Sequence, residues 1–158
     1  MNLKIVFGDL LQQDVEVIVN PWNRNIIPWW LLLPQGVSGA IKKHGGYSPI
    51  IEVSKFGPIT LGEARLTGAG KLKFKAIIHV AGINIFWFAT EKSIRGSVAS
   101  AIKLADDNQF RSIAFPLIGA GSGNRGKAYS KKIMLSAFAE ICSSLAVTLV
   151  EYNKWSFT

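Results

Sequence analysis

The chain has 158 residues, a length that suits one domain with a sizeable core. It carries no apolar run of the roughly 20 residues that a membrane helix needs and no secretory signal, so we expect a soluble cytoplasmic protein. The formal charge of +8 favours an anionic partner, which charge alone does not identify as phosphate, nucleotide or nucleic acid.

The first part of the chain alternates between strand-like and helical patterns. Apolar and β-branched residues predict strands over residues 3–7 and 15–20, with a turn-like segment over residues 8–14 between them. Helical spacing predicts a helix from Val37 to Lys43, which the Gly45-Gly46 pair ends. A short helix is predicted over residues 49–56.

The second part continues this alternation. Residues 63–67 and 76–80 are predicted as the two strands of a hairpin, joined by a glycine-containing turn over residues 68–72. An amphipathic helix over residues 91–108 precedes a buried strand over residues 112–116 and a last strand over residues 147–152. Between these two strands a second amphipathic helix carries Ile133, Met134, Ala137, Phe138 and Ile141.

Strands that alternate with helices predict an α/β fold. We expect one domain over residues 1–158, with a largely parallel sheet between two helical layers and ligands beyond the carboxyl ends of the strands. Cys142 continues the apolar pattern of the last helix, which predicts a packed and unreactive thiol. A single cysteine forms no internal disulfide, in agreement with a reducing compartment.

A glycine-rich loop lies between the strand at residues 112–116 and the helix that follows. Glycines let backbone N–H groups approach a phosphate near the positive end of a helix, so this loop is a candidate anion site to which Arg125 and Lys127 add charge. A tight turn is the structural alternative, but three alternating glycines exceed what one turn requires. The loop consists of Gly119, Ala120, Gly121, Ser122, Gly123 and Asn124.

Two known phosphate-binding motifs, the dinucleotide-binding G-x-G-x-x-G motif and the P-loop, are alternatives for this loop. Residues 121–126 satisfy G-x-G-x-x-G, and Glu151 ends the next strand, where a dinucleotide-binding fold places its ribose-binding acid. Only one further strand unit follows, whereas such a fold normally develops several. A P-loop is excluded because no Gly-Lys-Ser/Thr triplet follows the glycines.

Polar residues also follow the first two strands. Asn20 and Asn23 offer the donor and acceptor that ribose hydroxyls require, while Gly36, Val37 and Ser38 begin a helix whose free N–H groups suit a diphosphate. Asp9 has the chemistry to accept a hydrogen bond from an adenine amino group. The structural alternatives are Asx turns and an N-cap from Ser38.

In order, these segments resemble the macro domain family of ADP-ribose-binding proteins over nearly the whole chain. Residues 8–10 resemble its G-D-I/L motif, residues 18–23 its I-V-N-A-A-N motif and residues 36–41 its G-V-D/A-G-A-I motif. Residues 62–68 resemble G-x-A-x-x-T-x-G. Further on, residues 77–80 resemble V-I-H-x and residues 114–121 resemble A-F-P-x-I-x-x-G.

The resemblance implies a three-layer α/β/α sandwich with a mixed sheet of about six strands. It places Asp9 and Leu10 on the adenine, Tyr152 against the base, Asn23 on the distal ribose and both glycine loops around the diphosphate. Any hydrolysis would need a water oriented by Asn23, by the substrate phosphate or by a group elsewhere. The full set of implied ligand-binding residues is Asp9, Leu10, Asn20, Asn23, Gly36, Val37, Ser38, Gly119, Ala120, Gly121, Ser122, Gly123, Asn124 and Tyr152.

The chain departs from the family pattern in two ways. An apolar insertion over residues 26–33, which contains Trp29 and Trp30, is interpreted as a pocket lid, a dimer contact or a satellite core. Ser38 and Lys42 stand where hydrolytic members commonly carry an acid and a His, so a catalytic carboxylate is missing there. His79 falls inside a strand and is interpreted as structural rather than as a base.

Two functions follow from these patterns. The first is binding of ADP-ribose, free or attached to protein, in a monomer or homodimer, with hydrolysis of ADP-ribosyl or O-acetyl-ADP-ribose esters as the reaction if the protein is an enzyme. The alternative is a non-catalytic module that binds RNA or poly(ADP-ribose) through its positive surface, with Trp side chains stacking on bases. Neither function requires a cofactor, and no residue cluster has metal-ligand spacing.

Overall fold

The computed structural model describes residues 1–22, 36–83, 88–121 and 126–152. The strands of this part of the chain are β1 (Asn2–Phe7), β2 (Val17–Pro21), β3 (Ala64–Thr67), β4 (Ala76–Val80), β5 (Ser112–Pro116) and β6 (Ala146–Glu151). The helices are α1 (Gly36–Gly45), α2 (Ser48–Ser54), α3 (Glu91–Asp107) and α4 (Lys127–Glu140), and a 3-10 turn spans Leu10–Gln12. The predicted elements are therefore confirmed, with small shifts of their ends.

The six strands form one mixed sheet in the order β1-β6-β5-β2-β4-β3. Every neighbouring pair is parallel except β3 and β4, which form the predicted antiparallel hairpin. This order differs from that of the doubly wound dinucleotide-binding sheet, so the alternative drawn from the G-x-G-x-x-G spacing was wrong.

Side chains alternate between the two faces of the sheet, as the pleat requires. Val17 and Val19 of β2 belong to the larger core cluster, which includes residues of α3 and α4. Ile18 lies between them on the other face and packs in a second cluster with Ile41 of α1. The helices therefore cover both faces, and the expected three-layer α/β/α architecture is confirmed.

Local backbone features fix one boundary of each of the two helices in the larger core. A capping box formed by Thr90 and Ser93 fixes the start of α3. Helix α4 ends at Glu140 because Ile141 adopts extended backbone, so Cys142 lies beyond the helix and is exposed. The prediction of a packed thiol was wrong for this reason. Within the described residues, no helix is long and apolar enough to cross a membrane.

A charged network holds the amino-terminal edge of the sheet, where β2, β4 and β5 begin. Glu16 precedes β2 and accepts hydrogen bonds from Lys75 Nζ at 2.7 Å, Arg111 Nη2 at 3.1 Å and the Arg111 backbone N–H at 2.7 Å. The hydrogen bond from Lys75 is the largest of the effects that lower the pKa of Glu16 to about 2. The carboxylate thus joins three segments that are distant in sequence.

The Glu16→Gln variant tests the contribution of this network. The folded-state pKa of Glu16 lies below the ordinary value of 4.5, so its stabilisation is complete above pH 4.5 and is lost as the pH falls toward 2. We expect the variant to be less stable than the parent at pH 7 and the difference to shrink steadily below pH 4.5. Urea unfolding of both proteins at several pH values measures this, and a difference independent of pH would contradict it.

Candidate functional site

Five parallel strands place their carboxyl ends along one edge of the sheet, and the described members of the predicted ligand-binding set lie in segments at or after these ends. Asp9 follows β1 and Tyr152 follows β6, and these two strand ends are joined by a hydrogen bond from Gly8 N–H to Glu151 O at 3.0 Å. We call this region the carboxyl-edge site; its described members are Asp9, Leu10, Asn20, Gly36, Val37, Ser38, Gly119, Ala120, Gly121 and Tyr152. Asn23, Ser122, Gly123, Asn124 and the insertion at residues 26–33 lie outside the described residues.

The side chains that follow β1 and β6 differ in which of their groups could contact a ligand. One carboxylate oxygen of Asp9 accepts from Leu11 N–H at 2.8 Å and caps the 3-10 turn, which leaves its second oxygen for another donor. Leu10 packs in the core, so its side chain serves structure. Tyr152 is 52% exposed and presents a ring surface at the end of β6.

The start of α1 supplies backbone donors. Gly36 has φ +59°, a left-handed conformation that favours glycine, and nothing lies within 4 Å of the position that a Cβ would occupy. Ser38 lies inside the helix, so its interpretation as the N-cap was wrong. The N–H groups of this first turn have no partner within the helix, and the Ser38–Asn20 contact places the turn at the carboxyl edge.

The loop after β5 contains two described glycines with different roles. Gly119 has φ +84°, and a Cβ there would lie 2.5 Å from Ala89 Cβ, so the fold itself requires this glycine. Gly121 is not among the glycines with positive φ, and a Cβ there would meet nothing within 4 Å. A tight turn therefore explains Gly119 but leaves Gly121 free for another role, such as close approach of a ligand.

A chain of hydrogen bonds connects the start of α1 to the interior of the sheet. Ser38 Oγ donates to Asn20 Oδ1 at 2.8 Å, and Asn20 Nδ2 lies 3.0 Å from His79 Nδ1. His79 Nε2 lies 2.8 Å from Thr67 Oγ1, which donates to Gly68 O at 2.9 Å. We call these residues the buried polar chain; Asn20, Thr67 and His79 are each at most 4% exposed.

Only one direction of donation satisfies every member of this chain. The Gly68 carbonyl accepts the Thr67 proton, so Thr67 Oγ1 must accept from a protonated His79 Nε2. A neutral His79 then accepts at Nδ1, which requires the NH₂ group of Asn20 to face it and Asn20 Oδ1 to face Ser38. The Ser38 hydroxyl donates its proton to Asn20, so the lone pairs of Ser38 Oγ can accept a hydrogen bond from a donor at the carboxyl-edge site.

The electrostatics of His79 agree with this assignment. Burial lowers the pKa of His79 to about 3, so the ring is neutral near pH 7. The Trp22 ring packs edge-on against it, with centroids 6.0 Å apart. His79 therefore orients Asn20 rather than acting as a base, in agreement with its interpretation from the sequence.

Sequence reasoning gave Thr67 no role, although Thr67 closes the buried polar chain. In the sequence, Thr67 is the threonine of the segment that resembles G-x-A-x-x-T-x-G. Its pairing with His79 follows from the antiparallel register of β3 and β4, in which Thr67 lies opposite Ile77, two residues before His79. A polar residue inside an otherwise apolar strand was the signal that indicated such a partner.

Comparison with known proteins supports the fold and the order of the motifs. Residues 19–134 match the model of the Macro domain family. A macro domain-containing protein of Caldanaerobacter subterraneus subsp. tengcongensis is 36% identical in an alignment of 163 positions, gaps included, and the alignment covers 98% of this chain and 89% of that protein. An O-acetyl-ADP-ribose deacetylase of Salmonella gallinarum is 30% identical over 155 residues, covering 92% and 82% of the two chains.

A solved structure agrees as well. The Oceanobacillus iheyensis macrodomain with ADP superposes with a TM-score of 0.82 at 25% identity, covering 96% of this chain and 84% of that one. The mixed sheet, the glycine loops at its carboxyl edge and the family match have one common explanation. This chain belongs to the macro domain family.

Proposed function

We propose that this protein binds ADP-ribose, free or attached to protein, at the carboxyl-edge site. The observation that carries the proposal is the pair of glycine-opened backbone segments at Gly36 and Gly121, both of which leave room for a group that approaches the main chain closely. A diphosphate is the part of ADP-ribose that needs such an approach. The relation to a macrodomain solved with ADP supports the same assignment.

The other parts of the ligand have candidate partners on either side of the diphosphate. The free carboxylate oxygen of Asp9 suits the adenine amino group, and the exposed ring of Tyr152 suits the base. The distal ribose is assigned to Asn23 and to the Ser38 oxygen, which accepts a hydrogen bond from a hydroxyl. This proposal extends to Ser122, Gly123 and Asn124 as further donors to the diphosphate.

Hydrolysis of an ADP-ribosyl ester or of O-acetyl-ADP-ribose at the same site is the second candidate function. The relation to a protein named O-acetyl-ADP-ribose deacetylase favours it. Ser38 can hold a water by accepting its hydrogen bond, but a neutral hydroxyl does not deprotonate that water near neutral pH. We therefore expect turnover to be slow and to require Asn23 as the second group that orients the water.

The proposal also covers the bounds of the domain, its cellular location and its oligomeric state. Strands β1 and β6 lie outside the matched residues 19–134, yet they pair with each other inside the same sheet, which supports one domain over residues 1–158. The single cysteine agrees with a cytoplasmic location. Light scattering on the purified protein decides between monomer and homodimer.

Calorimetry with ADP-ribose, AMP and NAD tests the binding function. We expect ADP-ribose to bind more tightly than AMP, which lacks the second phosphate and the distal ribose, and to bind with little dependence on salt. Absence of heat with ADP-ribose in a protein shown to be folded would overturn the proposal.

A turnover assay with O-acetyl-ADP-ribose then tests the reaction. The Asn23→Ala variant should lose turnover, and Ser38→Ala should reduce it while ADP-ribose still binds. If the Asn23→Ala variant hydrolyses the ester at the parent rate, the role of Asn23 is excluded.

A further inference from the structure

Cations collect at the opposite edge of the sheet from the proposed ADP-ribose site. Helix α1 begins at the carboxyl edge and runs back, so its last turn lies at the amino-terminal edge, beside the loop that joins β3 to β4. Arg111, immediately before β5, lies at the same edge. We call this surface the basic edge; its cations are Lys42, Lys43, Lys71, Lys73, Lys75 and Arg111.

Contacts between the segments show that the basic edge is continuous. The Lys71 N–H donates to Gly45 O at 2.9 Å, which joins the hairpin loop to the end of α1. Lys73 Nζ donates to Gln12 O at 3.3 Å, and Glu16 joins Lys75 to Arg111. An open pocket between these segments is lined by Lys73, Lys75 and Arg111 together with acidic Asp14 and Glu16.

The charge of this surface is positive after its acids are counted. The acids Asp14, Glu16 and Glu52 lie among the six cations, which outnumber them. Glu16 is occupied by Lys75 and Arg111, and Glu52 accepts from Gly68 N–H at 3.0 Å. Lys43 and Lys71 are exposed and form no ion pair within the described residues. Their charges are therefore available to an anion.

An aromatic ring lies among these cations. Tyr47 follows α1 and is 53% exposed, and Lys42 Nζ lies 5.0 Å from its ring centroid. A ring beside lysines combines the two groups that single-stranded nucleic acid binds, since bases stack on aromatic faces and phosphates pair with cations.

We propose that the basic edge binds single-stranded nucleic acid, with Lys43, Lys71 and Lys73 on phosphates and Tyr47 against a base. A duplex keeps its bases stacked inside, so it offers no base face to the exposed Tyr47 ring. The hypothesis drawn from the sequence assigned stacking to Trp. Trp22 is 4% exposed and packs in the core, and Trp29, Trp30, Trp87 and Trp155 lie outside the described residues. The basic edge and the carboxyl-edge site lie at opposite ends of the strands, so this function is independent of ADP-ribose binding.

Fluorescence anisotropy with a labelled 12-nucleotide oligouridine RNA tests the proposal. RNA is a better probe than poly(ADP-ribose), whose repeating unit also fits the proposed ADP-ribose site. The combined Lys43→Gln, Lys71→Gln and Lys73→Gln variant should bind at least about tenfold more weakly at low salt. A plot of log K against log salt has a negative slope, and each lost phosphate contact should make it shallower by roughly 0.7. The slope of the triple variant should therefore be shallower by about 2.

A matched variant removes the same charge elsewhere. Lys4, Lys92 and Lys132 are exposed on β1, α3 and α4, three elements that contribute no cation to the basic edge. The combined Lys4→Gln, Lys92→Gln and Lys132→Gln variant should keep most of the affinity and of the slope. Equal losses in the two triple variants would show a general charge effect and overturn the proposed surface.

Variants of Tyr47 test the base contact separately. Tyr47→Phe keeps the ring and should bind like the parent, whereas Tyr47→Ala should lose about tenfold in affinity, in the range expected for one stacked base. Equal affinity of Tyr47→Ala and the parent, or tighter binding of duplex RNA or of anionic phosphatidylserine vesicles than of the single strand, would overturn the proposal. Saturating ADP-ribose should leave RNA binding unchanged, and direct competition between the two ligands would also overturn it.

Discussion

Replacing Gly121 by Glu is expected to raise the Kd for ADP-ribose at least about 100-fold, a loss of about 3 kcal/mol. The new side chain would place bulk and negative charge where the proposal puts the diphosphate. The fold should tolerate the change, because a Cβ at Gly121 meets nothing within 4 Å and its backbone does not have positive φ. Calorimetry with ADP-ribose measures the loss, and urea unfolding should give a stability close to that of the parent.

Two further variants separate the causes of this loss. Gly121→Gln adds nearly the same bulk without charge, so the difference between Gln and Glu reports repulsion of an anionic ligand. Gly119→Ala is the structural contrast, because φ +84° and a 2.5 Å approach to Ala89 Cβ would destabilise the fold itself. If Gly121→Glu keeps full affinity while folded, the phosphate does not lie at this loop.

Replacing Asn20 by Leu is expected to lower the free energy of unfolding by about 2 kcal/mol. Leu fills a similar volume, but it leaves His79 Nδ1 without the donor that it has at 3.0 Å, in a site closed to water. The Ser38 hydroxyl also loses its acceptor at 2.8 Å, so the start of α1 is held less firmly and ADP-ribose affinity should fall too. Urea unfolding and calorimetry measure the two effects.

The exposed Asn2 offers a matched control for this substitution. Asn2→Leu introduces the same side chain in a strand. Within the described residues the Asn2 side chain makes no hydrogen bond, so the effect should stay within about 0.5 kcal/mol. A stability loss as small for Asn20→Leu as for Asn2→Leu would show that the amide contributes little.

A double-mutant cycle tests whether the buried polar chain acts as a unit. Thr67→Val removes the partner of His79 Nε2, whereas Thr67→Ser keeps a hydroxyl and should be milder. Because Asn20 and Thr67 both act on the His79 ring, the losses of Asn20→Leu and Thr67→Val should not add, with a coupling of roughly 1 kcal/mol. In the parent, ¹⁵N chemical shifts of His79 should report the Nε2–H form, and the Nδ1–H form would contradict the direction of the chain.

The strands and helices were predictable because each carries its own local signal. Val37 to Lys43 shows helical spacing followed by two glycines, and the structure places α1 there. The alternation of strands and helices predicted the layers because helices that follow strands must cover a sheet. The site could be assigned to the carboxyl edge for the same reason, since parallel strands end together.

Features that depend on register or on one backbone angle were not predictable. Asn20 and His79 are 59 residues apart, and only the parallel register of β2 and β4 places them side by side. The exposure of Cys142 depends on the extended backbone of Ile141, which no glycine or proline indicates in the sequence. The basic edge unites three segments whose lysines, taken separately, are typical of any solvated surface.

The pairing of β1 with β6 has a consequence for the order in which the molecule is completed. In the described sheet β1 pairs only with β6, so residues 2–7 lack a strand partner until residues 146–151 have emerged from the ribosome. Such long-range pairing slows folding, because a long loop must close before the contact forms. Asp9 and Tyr152 are brought together by the same event, so the adenine half of the proposed site is assembled last. Acquisition of ADP-ribose binding during translation would then report that β6 has left the ribosome and paired with β1.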